Sequence, residues 1–182
     1  MDAAEMLRRG FTRETAIRRD ARGTWYDGDV PIDHAPLSRA FDRWIDRAPD
    51  GRLCLNNQIN WAFVQIEGPP FFVRSVRWAG TEAWLTLSGD TEERLDPTTL
   101  RRGPEDGLWC DVREGRVPAR FDDHATGRLA ERLGEDDAGL YFEIDGSRVR
   151  PPVVSDPLIG WDASRGDVEQ ARTMATTTMG KS

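Results

Sequence analysis

The sequence predicts an α+β fold, with antiparallel sheets built from hairpins and two short helices. Three observations carry this. Strand-length apolar runs recur in pairs around tight turns, as where Asp145-Gly146 separates residues 139–144 from 147–150. Two segments repeat their apolar residues at helical spacing instead, and each falls between clusters of strands. No βαβ crossover or Gly-rich phosphate-binding loop is evident. Of the 182 residues, 38% are hydrophobic, including seven Trp and seven Phe, which suffices for a real core.

In chain order, residues 1–16 are expected to be a flexible N-terminus, although a helical turn over 11–19 competes with a strand for residues 17–19. A small meander follows to Ile32, turning at Ala21-Arg22-Gly23 and Asp27-Gly28-Asp29. Leu37, Ala40, Phe41, Trp44 and Ile45 recur at i, i+3, i+4, i+7 and i+8, so a helix begins near Pro36 and stops at Pro49-Asp50-Gly51. After a short strand at 52–55 comes the expected centre of the fold. Residues 59–66 and 71–78 are two apolar strands on either side of Gly68-Pro69-Pro70. Further strands are expected at 82–88, at a short edge near 93–95, and in a hairpin around Glu114-Gly115. A second helix carries Ala125, Leu129 and Leu133 and is capped by Gly134. The expected units are 17–80, an α+β lobe around the central hairpin, and 81–155, a β-rich lobe with one helix. Residues 156–182 are expected to form a mostly disordered tail.

Charge narrows the function classes. The net charge of −7 argues against a nucleic-acid partner and against adhesion to anionic membranes. No run of eighteen apolar residues and no secretory h-region is present, so the cytoplasm is the expected compartment. Lys181 is the only lysine, so any cationic contact elsewhere in the chain is a guanidinium suited to carboxylate, phosphate or aromatic groups. Cys54 and Cys110 sit in apolar runs and are expected to be buried reduced thiols. No metal site and no cofactor are predicted.

The order of motifs also resembles a known family. Gly23-Thr24-Trp25-Tyr26 and Val30-Pro31-Ile32 come first, then the helix around Phe41, then residues 59–76 with Glu67-Gly68-Pro69-Pro70-Phe71. Gly89-Asp90, residues 112–120 and a helix complete the series. Together they resemble the bacterial domain-of-unknown-function family 1285 over residues 20–133. The resemblance implies a two-lobed α+β protein linked with signalling or ligand binding rather than catalysis. It also implies a second lobe similar to a small pleckstrin-homology-like barrel. The entry Asn56-Asn57-Gln58-Ile59-Asn60 departs from the family's pattern, and the segment after Gly134 extends beyond it.

No catalytic residues are predicted. His34 precedes a helix and suits a cap. His124 suits an exposed first turn, and neither belongs to a hydrolase motif. The candidate ligand-binding residues are Trp61, Arg74, Trp78, Asn57 and Trp25. With a turn centred on Gly68-Pro69, Trp61 faces Val76, Phe63 faces Arg74 and Gln65 faces Phe72. Trp78 then lies on Arg74's side. Arg74 among Trp61, Phe63 and Trp78 would hold an anionic or planar ligand, with Asn57 supplying donors and acceptors at the far end. The competing reading is an aromatic core with Arg74 turned to solvent or to a carboxylate. Trp25 either packs on the helix or lines a groove between lobes.

The expected function is a non-enzymatic module that binds a small acidic or planar ligand or a protein partner. The alternatives are a protein-interaction or homo-oligomeric module, with the oligomeric state open, and an unrecognised hydrolase or transferase.

Overall fold

The computed structural model describes residues 13–158, so most of the expected tail lies outside the described residues. Its strands are β1 (Ile17–Arg19), β2 (Trp25–Asp27), β3 (Val30–Pro31), β4 (Ile45–Arg47), β5 (Leu53–Asn56), β6 (Trp61–Phe63), β7 (Gln65–Ile66) and β8 (Phe71–Ala79). They continue as β9 (Glu82–Leu87), β10 (Glu92–Arg94), β11 (Arg101–Arg102), β12 (Leu108–Val112), β13 (Val117–Phe121), β14 (Leu133–Asp136), β15 (Gly139–Ile144) and β16 (Ser147–Val149). The helices are α1 (Ala35–Trp44) and α2 (Asp123–Ala130). The fold is α+β and mostly antiparallel, as expected, with two parallel pairings: β1 with β7, and β8 with β13. No helix among the described residues is long and apolar enough to cross a membrane.

Four sheets form, in the orders β3-β2-β1-β7, β4-β5-β6, β10-β9-β8-β13-β12-β11 and β14-β15-β16. One contiguous core joins them. Trp25, Ile45 and Leu55 from the first two meet Phe71, Val73, Leu85, Val117 and Leu129 from the six-stranded sheet and α2. A small satellite of Ala48, Cys54 and Phe63 lies under Trp61.

The central hairpin is not formed. β6 pairs with β5, while β8 pairs with β9 and β13. The reason lies in the proline pair. Pro69 and Pro70 have no N–H, so Pro70 cannot close a turn against Glu67. Their carbonyls instead accept from Arg19 Nη2, at 2.5 and 2.9 Å, and the Glu67 N–H donates to the Arg19 carbonyl at 2.9 Å. The chain is thereby held extended along β1. Ile59 leaves the expected strand altogether and is 86% exposed.

Other boundaries move as well. Residues 13–16, assigned to a flexible terminus, run beside β6: Phe63 N–H donates to the Arg13 carbonyl, and Thr15 Oγ1 donates to the Phe63 carbonyl at 2.6 Å. The strand prevails at residues 17–19. β8 and β9 pair across the turn at residue 80, where the sequence places the division between its two units. Helix α1 begins at a His34 cap whose Nδ1 accepts the Leu37 N–H at 3.1 Å, as read from sequence. It ends at Trp44, because Ile45 turns extended and pairs with Leu55. Pro49-Asp50-Gly51 therefore closes the β4–β5 hairpin, with Gly51 at φ +89°. Helix α2 also stops early. Leu133 and Gly134 belong to β14, and Gly134 lies under the Tyr141 ring where no Cβ fits.

Candidate functional site

Two concavities adjoin where α1, the β4-β5-β6 sheet and the turns of the six-stranded sheet meet, and Trp44 and Asn57 line both. The first is a recess of about 240 Å³. Ile17 of β1, Phe41 and Trp44 of α1, Leu55 of β5, and Trp61, Ala62 and Val64 make its walls, with Thr15, Asn57 and Asn60 at the edge. Trp61 is steadied by Phe63, edge-on at 5.0 Å, and by the Arg13 guanidinium 4.0 Å from its ring centre.

The rim is a turn that its own side chains hold. Asn57 Oδ1 accepts from Ile59 N–H at 3.0 Å and Asn60 N–H at 2.7 Å, and Asn56 Oδ1 accepts from Gln58 N–H at 2.9 Å. Such Asx turns let Gln58 take φ +71°. With its oxygen committed to the turn, Asn57 keeps its amide nitrogen as a donor to the cavities.

The second concavity is larger, about 420 Å³, and polar. Arg43, Arg113 and Arg116 line it against one carboxylate, Asp46, with Asn56, Asn57, Gln58 and Thr91 around them. Arg116 forks onto Asp46 through Nε at 3.3 Å and Nη2 at 3.2 Å, and its Nη1 reaches Glu114 at 2.8 Å. Arg113 Nη1 lies 3.3 Å from Glu93, and Arg113 Nη2 donates to the Arg43 carbonyl at 2.5 Å. Arg43 Nε donates to the Gly89 carbonyl at 3.3 Å.

Of the predicted site residues, the structure brings Trp61 and Asn57 together at the recess and places the other three elsewhere. Arg74 sits at an irregularity in β8, where the register with β9 slips between Val73 and Ser75. Arg74 faces outward between buried Val73 and the slip, and the bulge resets the inward phase to Val76, so Trp78 no longer shares Arg74's side. Its side chain is 55% exposed, with Nη1 3.7 Å from Asp122, and it lines neither concavity. Trp78 packs on α2: its Nε1 donates to the Arg128 carbonyl at 3.2 Å, under Arg132. Trp25 is 1% exposed, edge-on to Phe41 at 5.3 Å, and its Nε1 donates to Asp42 at 3.0 Å. It is a core residue, so the packing reading prevails over the groove reading.

Sequence reasoning missed the arginine trio, because two of its members come from a turn some seventy residues after Arg43 in the chain. The helical pattern did place Trp44 on the right element. Neither histidine and neither cysteine lines the two concavities. Among the described residues, no group of three or more His, Cys, Asp or Glu side chains converges to hold a metal.

No family model and no curated protein matches the chain. Two solved structures do. The crystal structure of a DUF1285 family protein from Silicibacter pomeroyi DSS-3 is similar with a TM-score of 0.58 and 20% identity, over 74% of this chain and 78% of that one. A DUF1285 family protein from Shewanella baltica OS155 matches with a TM-score of 0.48 and 14% identity, over 60% of this chain and 85% of that one. The structural neighbours of this chain are DUF1285 family proteins, and at 20% identity the likeness is one of fold.

Proposed function

We propose that this protein is a non-catalytic binding module for a small molecule with a flat apolar body and a polar end. The observation that carries the reading is the junction at Trp44 and Asn57, where an apolar recess adjoins a polar, arginine-lined concavity. Apolar walls with a few placed polar groups at a meeting point of elements are the usual build of a ligand site, and the joint space falls in the usual size range. The rim residues are pre-ordered by their own turn, which lowers the entropy cost of binding. With no His or Cys at either concavity, the groove lacks the customary nucleophile–base pair.

The test fills the recess without removing a contact. Ala62→Leu places a larger side chain in the smaller cavity. Aromatic probes that raise the melting temperature and quench tryptophan fluorescence of the parent protein are expected to do neither in Ala62→Leu. The variant's own melting temperature should stay within a few degrees of the parent's. Probe binding that survives the filling would place the site elsewhere.

A further inference from the structure

We infer that Arg43 receives a ligand oxyanion, so that the molecule taken by this groove is an aromatic acid. Its flat body would lie in the recess beside Trp44 and Trp61, and its carboxylate or phosphate monoester in the arginine-lined concavity. This rests on the binding reading above and adds the ligand's charge and the residue that reads it.

Three guanidinium groups line that concavity, and two are already committed. Arg116 is held by Asp46 and Glu114, and Arg113 by Glu93 and the Arg43 carbonyl. Arg43 alone of the three has no carboxylate partner among the described residues. Its one side-chain bond runs from Nε to the Gly89 carbonyl, which leaves both Nη groups to fork onto two oxygens of an anion.

The anchor is built into the backbone. Gly89 has φ +90°, and a Cβ there would stand 2.8 Å from the Arg43 nitrogen. The β9–β10 turn is thus pressed against the end of α1, and the Gly89 carbonyl sits where Arg43 Nε meets it. A guanidinium fixed at Nε and open at Nη loses less freedom on binding than a wholly solvated one. Thr91, from the same turn, lines the concavity with a buried hydroxyl oxygen that has no hydrogen-bond partner among the described residues. Asp46, Glu93 and Glu114 are taken up by Arg116 and Arg113, which leaves Arg43 as the guanidinium of the three that no carboxylate offsets among the described residues.

The experiment compares 2-naphthoate and 2-naphthyl phosphate with neutral 2-naphthamide by fluorescence titration and thermal shift. The parent protein should bind the acids at least about tenfold tighter than the amide, as charge-assisted paired hydrogen bonds imply. In Arg43→Gln, which keeps a donor for the Gly89 carbonyl, that preference should collapse to within about twofold, chiefly through weaker acid binding, while the melting temperature stays put. Arg43→Lys should recover part of it. Acids and amide binding the parent equally would overturn the assignment to Arg43 and leave the groove standing. So would an acid preference that persists in Arg43→Gln. Failure of all three probes to bind the parent would overturn both readings. If Arg43→Gln unfolds, Arg43→Lys decides instead: its acid preference should fall below the parent's, and an unchanged preference would overturn the assignment.

Discussion

Arg19 is the residue on which the arrangement around α1 turns. Its side chain is 2% exposed. It contacts Asp42 at 3.1 Å and the carbonyls of Pro69 and Pro70, and Asp42 also accepts the Trp25 indole. Burial lowers its pKa and Asp42 opposes that, the balance expected of a buried charge kept by its partner. Asp42→Ala strands the guanidinium and the indole together. We expect a loss of about 3 kcal/mol, read from urea unfolding, because breaking a buried pair leaves an uncompensated charge. Nothing local in the sequence marks Arg19 among so many arginines, since its burial follows from contacts about twenty and fifty residues away. His34 was legible because a cap is a local event. The cysteines were legible too, and both are buried. Burial, helped by Asp46 and Asp50, pushes the Cys54 thiol up to about 11. The raised value favours the protonated folded form. That stabilisation is complete below the unfolded thiol's value near 9 and is lost as pH rises toward 11. Both thiols should accordingly resist an aromatic disulfide reagent at pH 8 until urea unfolds the chain. Rapid reaction of the native protein would contradict their burial.

At the level of elements, strand periodicity located β8 and β9 well and failed on what they pair with. The Pro69-Pro70 doublet looks like a turn in sequence, yet it lacks the N–H that a hairpin turn needs. The bulge at Arg74 is equally silent, because one extra residue flips every later side chain without altering composition. The two readings differ sharply at Ile59. In a central strand it would be core, whereas at 86% exposure Ile59→Ser should cost less than about 0.5 kcal/mol. Phe71→Ala, at a fully buried position of β8, should cost about 4 kcal/mol in the same denaturation experiment. Gly89→Ala tests the contact between the β9–β10 turn and α1. A left-handed φ and a Cβ against the Arg43 backbone imply a loss of about 2 kcal/mol. An unchanged melt would mean that the turn and helix are not pressed together.

Across the whole molecule, one core joins the sheets, and β8 pairs onward with β9 and β13. The α+β class and the likeness to DUF1285 proteins were legible from motif order, which survives when pairing is misjudged. The candidate groove was half legible. Trp61 and Asn57 were named from a hairpin register that does not form, and both nevertheless line the recess. Arg43, Arg113 and Arg116 were not, because only the folded chain assembles them. The most direct test follows the indole N–H resonances by NMR while 2-naphthoate is added to the full chain. Trp44 and Trp61 should shift together along a saturable curve, with Trp78 and Trp84 unmoved. Saturable shifts at Trp78 with Trp44 and Trp61 silent would contradict the groove between α1 and β6.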